Sequence, residues 1–214
     1  MSRLRALILD FDGVLIESNT LKTESFAAVF ARFPEHADSM MAFHHANVSA
    51  TRDDKFRHLV TAKLNRPADD PLVEELASAF SRQMLARLER CAWVTGAHAF
   101  LDRVRGRLPV YLASATPQAE LDHILSRRGL AGAFMGVYGC PPWTKDRAVT
   151  DILERTGGAS GVLFIGDSAG DQRAAARAGV EFLARDSGLP FDDPQPRAFG
   201  DLTAIAGALH DRLP

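Results

Sequence analysis

The sequence predicts a doubly wound α/β core with a parallel sheet, interrupted by an all-helical insertion. Short apolar runs, each closed by a polar or glycine-bearing turn, recur at Leu4–Leu9, Pro109–Ala113, Gly136–Tyr138, Gly161–Ile165 and Glu181–Ala184. Runs of this length suit strands buried on both faces. Amphipathic stretches at Gln118–Arg128, Asp146–Arg155 and Gln172–Ala178 follow the later runs. Strand–helix alternation of this kind is how parallel sheets are written in sequence.

The first run, ending at Leu9, stops against Asp10 and Asp12 and is too short for a secretory segment despite Arg3 and Arg5 before it. Next comes a long segment, residues 16–90, with no strand-like run. Phe26, Val29, Phe30 and Phe33 follow the i, i+3, i+4, i+7 spacing of a helix. Leu72, Leu76, Phe80, Met84 and Leu88 trace a second apolar stripe, residues 52–64 form a third helical stretch, and Pro67 and Pro71 punctuate the gap. Thr95-Gly96 marks the return to the core, ahead of a helix at 97–105. The expected organisation is a discontinuous α/β core, 1–15 with 91–214, and a helical cap, 16–90.

Bulk properties narrow the function classes. The 214 residues carry 25 Lys+Arg against 27 Asp+Glu, a formal charge of −2. That balance offers neither a field for nucleic acid nor a polybasic membrane anchor, and no apolar run reaches the ~18 residues of a spanning helix. A small anionic substrate remains compatible, because it needs only local positive charge. Cys91 and Cys140 form no disulfide framework and no metal-binding pair, so a reducing cytoplasm is the expected setting, with a monomer or homodimer as the assembly.

In open α/β sheets ligands bind outside the carboxyl ends of the strands. There the first run carries Asp10-Phe11-Asp12-Gly13, the second Ser114-Ala115-Thr116, the third Lys145 after a short loop, and the fourth Gly166-Asp167-Ser168-Ala169-Gly170-Asp171. Four carboxylates, a hydroxyl and an ammonium on one edge suit phosphoryl transfer. Clustered carboxylates gain most by sharing a hard cation such as Mg²⁺. A carboxylate can then approach phosphorus as nucleophile, Ser114 can donate to a phosphate oxygen, and Lys145 adds positive charge. Asp12, two residues beyond Asp10 in an extended segment, points the same way and suits general acid/base work.

The run Leu7-Ile8-Leu9-Asp10-Phe11-Asp12-Gly13-Val14-Leu15 closely resembles the first motif of the haloacid dehalogenase superfamily. Ser114, Lys145 and Gly166-Asp167-Ser168-x-x-Asp171 resemble its second, third and fourth motifs, in the same order. The helical insertion is similar to the cap of phosphoglycolate phosphatases and β-phosphoglucomutases. The resemblance implies a Rossmann-like core, an aspartyl-phosphate on Asp10, and Asp12 as the acid that protonates the leaving oxygen and then activates water. It also implies Mg²⁺ held by Asp10, the Asp12 backbone carbonyl and Asp167, with Asp171 acting through a water or by holding Lys145. The cap would close as a lid over a small phosphorylated metabolite. Dehalogenating and phosphonate-cleaving members depart from the pattern at the second aspartate, so Asp12 favours oxygen esters.

Where many capped relatives have a histidine ten residues after the acid/base aspartate, this chain has Lys22. That departure weighs against a phosphomutase, the nearest alternative to a phosphatase, and suggests pairing with a second anion on the substrate. A catalytically silent phospho-ligand binding protein is the alternative from another class. Candidate substrate contacts are Gly13, Lys22, Arg52, Lys55, Ala115 and Thr116. Thr116, before Pro117, is also the expected N-cap of the next helix, which leaves Ser114 for phosphate. His44 and His45 are expected on the cap surface, Lys55 alternatively on a solvated helix face, and Cys140 as a buried small hydrophobe.

Overall fold

A computed structural model describes residues 3–213. The chain divides into two compact units: one takes in the chain up to Glu17 and from Cys91 onward, the other runs Ser18–Arg90.

The first unit is built on six parallel strands: β1 (Ala6–Leu9), β2 (Val110–Ser114), β3 (Gly136–Gly139), β4 (Val162–Gly166), β5 (Glu181–Arg185) and β6 (Ala198–Phe199), in spatial order β3-β2-β1-β4-β5-β6. All of β1, β2 and β4 is buried. Their continuous apolar character therefore reflects helices on both faces instead of one wet face. Side chains alternate across the sheet. Ala6 and Ile8, Tyr111 and Ala113, and Val162 and Phe164 cluster on one face with Ala148, Val149 and Ile152 of α7 (Lys145–Thr156) and Ala174 and Ala175 of α8 (Ala169–Arg177). Three further helices complete the unit: α5 (Ala97–Val104), α6 (Gln118–Arg127) and α9 (Leu202–Ala208).

Strand order reverses at β1, which lies between β2 and β4 with Leu9 level with both Leu112 and Ile165. This switch point is where the loops leaving neighbouring strands diverge and open a crevice. The chain leaves this unit beyond Glu17 and re-enters at Cys91. The two crossing segments are hydrogen-bonded, Glu17 N–H to the Ala92 carbonyl at 2.9 Å and Val94 N–H to Leu15 at 3.0 Å. Ile16 and Glu17 thus belong with the sheet, two residues past the expected boundary.

The second unit contains α1 (Asn19–Phe30), α2 (Ala37–Ala46), α3 (Arg52–His58) continued by a π-helical turn (Leu59–Lys63), and α4 (Leu72–Arg90). Phe26 is its aromatic centre, with ring centroids 4.4 Å from Phe80 and 5.7 Å from both Phe30 and Phe56. Leu76, Phe80, Met84 and Leu88 are buried along α4. Phe33 lies outside α1 although it keeps the periodic spacing, because it precedes Pro34, and a residue before proline is pushed out of the helical region. The helix α2 was not foreseen from the sequence, nor were the two-residue β6 and α9. No helix among the described residues is long and apolar enough to cross a membrane.

Candidate active site

Asp10 directly follows β1, its N–H bonded to the Ile165 carbonyl of β4 at 3.0 Å. The backbone N–H of Phe11 donates to Oδ1 of Asp10 at 2.7 Å, and Lys145 Nζ donates to Oδ2 at 2.8 Å. Lys145 opens α7, whose N-cap Thr144 accepts from Arg147 N–H. The same ammonium also bonds to Oδ1 of Asp171. Asp171 has a second attachment: its Oδ2 accepts from the Ser168 hydroxyl at 2.7 Å and from the Ser168 N–H at 3.2 Å. Capping of α8 and tethering of Lys145 therefore coexist in one carboxylate, and the cap starts α8 three residues earlier than periodicity suggests.

Gly166 makes this possible. A Cβ there would lie 2.3 Å from the Cβ and 2.5 Å from the Cγ of Asp171. Only a residue without a side chain lets the end of β4 pass so close to Asp171. Gly13, at φ 72°, turns the chain back so that its N–H reaches the Ile16 carbonyl at 2.8 Å.

Asp10, Asp167 and Asp171 are all buried and each offers an oxygen within 4.8 Å of the others. Burial holds the Asp10 carboxyl well above the usual carboxylate range; Lys145 pulls it back, and Asp171, Asp167 and Asp12 each push it up again. Burial also acts against the charge on Lys145, but Asp10 and Asp171 outweigh it and hold the ammonium well above its ordinary range. One ammonium thus faces an excess of buried negative charge. An all-oxygen donor set with charge left to neutralise fits a hard divalent cation such as Mg²⁺.

The carboxylate of Asp12 is engaged towards β2. Its Oδ2 accepts from the Thr116 hydroxyl at 2.9 Å and the Ser114 hydroxyl at 3.4 Å. Thr116 is not the cap of α6, contrary to expectation: Pro117 holds the N-cap position with no side-chain cap bond. The Thr116 hydroxyl goes to Asp12 instead, because the loop turns it inward, where it is 2% exposed. Ala115 between them is half-buried.

Lys22, Arg52 and Lys55 all fall in the helical unit. Lys22 is half-buried in α1. Arg52 Nη1 donates to Ser81 Oγ at 2.5 Å, with its guanidinium 4.9 Å from the Phe80 ring centroid. Lys55 is on no solvated face: only 2% exposed, its Nζ lies 3.1 Å from His44 Nδ1, 3.4 Å from the Val48 carbonyl and 4.8 Å from the Phe26 ring centroid. Burial, reinforced by Lys22, lowers Lys55 to about 7. His44 is likewise buried, correcting its expected surface position, with Nε2 3.1 Å from Thr23 Oγ1; burial and then Lys55 push it down to about 3. His45 is exposed as expected, while Cys140 is only half-buried. The position of α2, which brings His44 against Lys55, carried no signal in the sequence.

The family model of haloacid dehalogenase-like hydrolases matches residues 7–185. No curated protein matches the sequence. Among solved structures, a provisionally assigned phosphoglycolate phosphatase from Lactobacillus plantarum superposes with a TM-score of 0.74 at 18% identity, over 96% of this chain and 99% of that one. CbbY from Rhodobacter sphaeroides, in complex with phosphate, gives 0.74 at 15% identity over 94% and 96%. The provisionally assigned hydrolase YfnB from Bacillus subtilis, bound to magnesium, gives 0.71 at 15% over 97% and 99%. At such identities these likenesses speak for the fold. With most of the chain, from β1 to the end of β5, matched by the family model, the protein belongs to the haloacid dehalogenase-like hydrolases.

Proposed function

We propose that the protein is a Mg²⁺-dependent phosphatase of small phosphorylated metabolites, working through an aspartyl-phosphate on Asp10. The observation that carries this reading is the set of contacts at the carboxyl edge of the sheet. Asp10 is held by the Phe11 N–H and the Lys145 ammonium, beside Asp167 and Asp171, while Asp12 is held by hydroxyls at the end of β2. The phosphate-bound and magnesium-bound neighbours support the same chemistry.

Asp10, Asp167 and Asp171, with the Asp12 backbone carbonyl, are the groups assigned to Mg²⁺. When bound, the ion would offset both the mutual repulsion of these carboxylates and the charge of the phosphate. Asp10 attacks phosphorus, and the ester P–O bond breaks with its electron pair moving to the leaving oxygen. The Asp12 carboxyl gives that oxygen its proton, leaving an alcohol and the aspartyl-phosphate. Water then attacks the same phosphorus, its proton passes to Asp12, and inorganic phosphate departs with Asp10 restored. Lys145 and the Ser114 hydroxyl hold the phosphate oxygens through both displacements. The helical unit, which includes Lys22, Arg52 and Lys55, is assigned to substrate selection.

Phosphate release from a panel of phosphorylated metabolites tests the reading. Release with Mg²⁺ that disappears with EDTA and in Asp10→Asn supports it. No release from wild type above that of Asp10→Asn overturns it, and isomerisation of a sugar phosphate in its place identifies a mutase.

A further inference from the structure

We infer that Thr116 is the residue that positions Asp12 for proton transfer, through the hydrogen bond from its hydroxyl to Asp12 Oδ2. The inference rests on the phosphatase reading and assigns a residue to one half of its chemistry, protonation of the leaving group.

Three atoms of Thr116 are fixed at once. Its N–H donates to Ser114 Oγ at 3.1 Å, its carbonyl accepts from Cys140 N–H at 3.0 Å, and its hydroxyl donates to Asp12 Oδ2 at 2.9 Å. The first bond ties the residue to the end of β2, and the second ties it to the loop leaving β3. The third crosses to the loop after β1 and is the one of the three made by the side chain. A β-branched side chain held in this way has little rotamer freedom. With Pro117 at the N-cap of α6, the hydroxyl has no capping duty to explain its presence. The Ser114 hydroxyl, at 3.4 Å, is the longer contact to the same oxygen and is also the group assigned to phosphate. Thr116 is therefore the donor that can stay on Asp12 while Ser114 turns to substrate.

The role is positional. A general acid contributes about 10²- to 10⁴-fold when it is within reach of the proton's destination, and loses much of this when misplaced. In the first displacement the ester oxygen takes the electron pair of the broken P–O bond together with the Asp12 proton. A leaving group stable as an anion takes only the electron pair and has no use for Asp12. Loss of Thr116 must then depend on the leaving group, which neither a folding role nor a phosphate-binding role would produce.

The experiment compares kcat/KM of wild type, Thr116→Val and Thr116→Ser on two probes, an alkyl phosphate that the wild type cleaves and 2,4-dinitrophenyl phosphate. Thr116→Val is expected to lose about tenfold or more on the alkyl ester and less than about threefold on the dinitrophenyl ester, with Thr116→Ser restoring the alkyl rate. In an Asp12→Asn background, Thr116→Val should cost nothing further on the alkyl ester. Equal losses on the two esters, or no loss on either, overturn the inference while leaving the phosphatase reading intact. A wild type that cleaves no alkyl phosphate of the panel, and no dinitrophenyl ester either, overturns that reading and the inference with it. Should Thr116→Val fail to fold, Thr116→Ala carries the same comparison.

Discussion

The ammonium of Lys145 lies 2.8 Å from the Asp10 carboxylate, and both groups are largely buried. Removing one partner of such a pair leaves the other charge uncompensated, which costs about 3–5 kcal/mol. Lys145→Ala is therefore expected to lower stability by that order and to cut phosphatase activity about 10²-fold or more. Urea unfolding with and without Mg²⁺ checks the first part. The deficit should be larger without the ion, because the carboxylates that Lys145 serves then have no other cation.

Gly166 leaves the space that the Asp171 side chain occupies. A methyl group there would meet the Asp171 side chain at 2.3 Å, so backbone must move. Gly166→Ala should cost about 1–3 kcal/mol, as overpacking does, and displace the carboxylate that tethers Lys145. Activity should fall more than stability alone explains, measured under conditions where the variant remains folded. A variant with unchanged activity would show that Asp171 need not be held so tightly.

The three-carboxylate cluster predicts linkage between Mg²⁺ and folding. An ion that binds only the folded chain stabilises it by about 2.7 kcal/mol at a hundred times its dissociation constant. Thermal unfolding of the wild type should therefore rise with Mg²⁺ and return with EDTA. Asp167→Asn should show a much smaller rise, since it removes one of the three carboxylates that could hold the ion.

Acid should weaken the helical unit. Lys55 is ordinarily at 10.5 and is lowered to about 7 in the folded chain. Between those values the unfolded chain holds the proton and the folded chain does not, so stability rises with pH, by at most about 1.4 kcal/mol per unit. This contribution is complete above 10.5 and gone below about 7. His44, ordinarily at 6.5 and lowered to about 3, acts in the same sense across its own window, with Lys55, His45 and Lys22 all disfavouring its charge. Lys55→Met should be more stable than wild type near neutrality, and its stability curve should be flatter between pH 7 and 10.5. Urea unfolding at a series of pH values measures both effects.

The strands and the polar residues that close them were legible because they are local properties. A run buried on both faces is apolar throughout, as Ala6–Leu9 and Val162–Gly166 are, and the residue that ends it is polar because it meets the crevice. Asp10, Ser114 and Asp167 could be placed on one edge from strand direction alone. The family resemblance has Asp171 acting through a water or by holding Lys145; it bonds to Lys145 and also caps α8.

What the sequence by itself determined about this protein is the five longer strands, the inserted helical segment and the edge on which the carboxylates gather. These follow from hydrophobic periodicity and chain direction, which neighbouring residues encode. Only the tertiary structure decided the pairings. Thr116 precedes a proline and reads as a helix cap, yet its hydroxyl reaches Asp12, distant in sequence. Lys55 reads as a lysine on a solvated helix face, yet α2 delivers His44 against it beside the Phe26 ring. Gly166 reads as a turn residue, and the need for it is visible only once Asp171 folds back over the strand end. Each of these outcomes depends on which surfaces pack together, and that is set by the burial of the whole core instead of by any local run of residues.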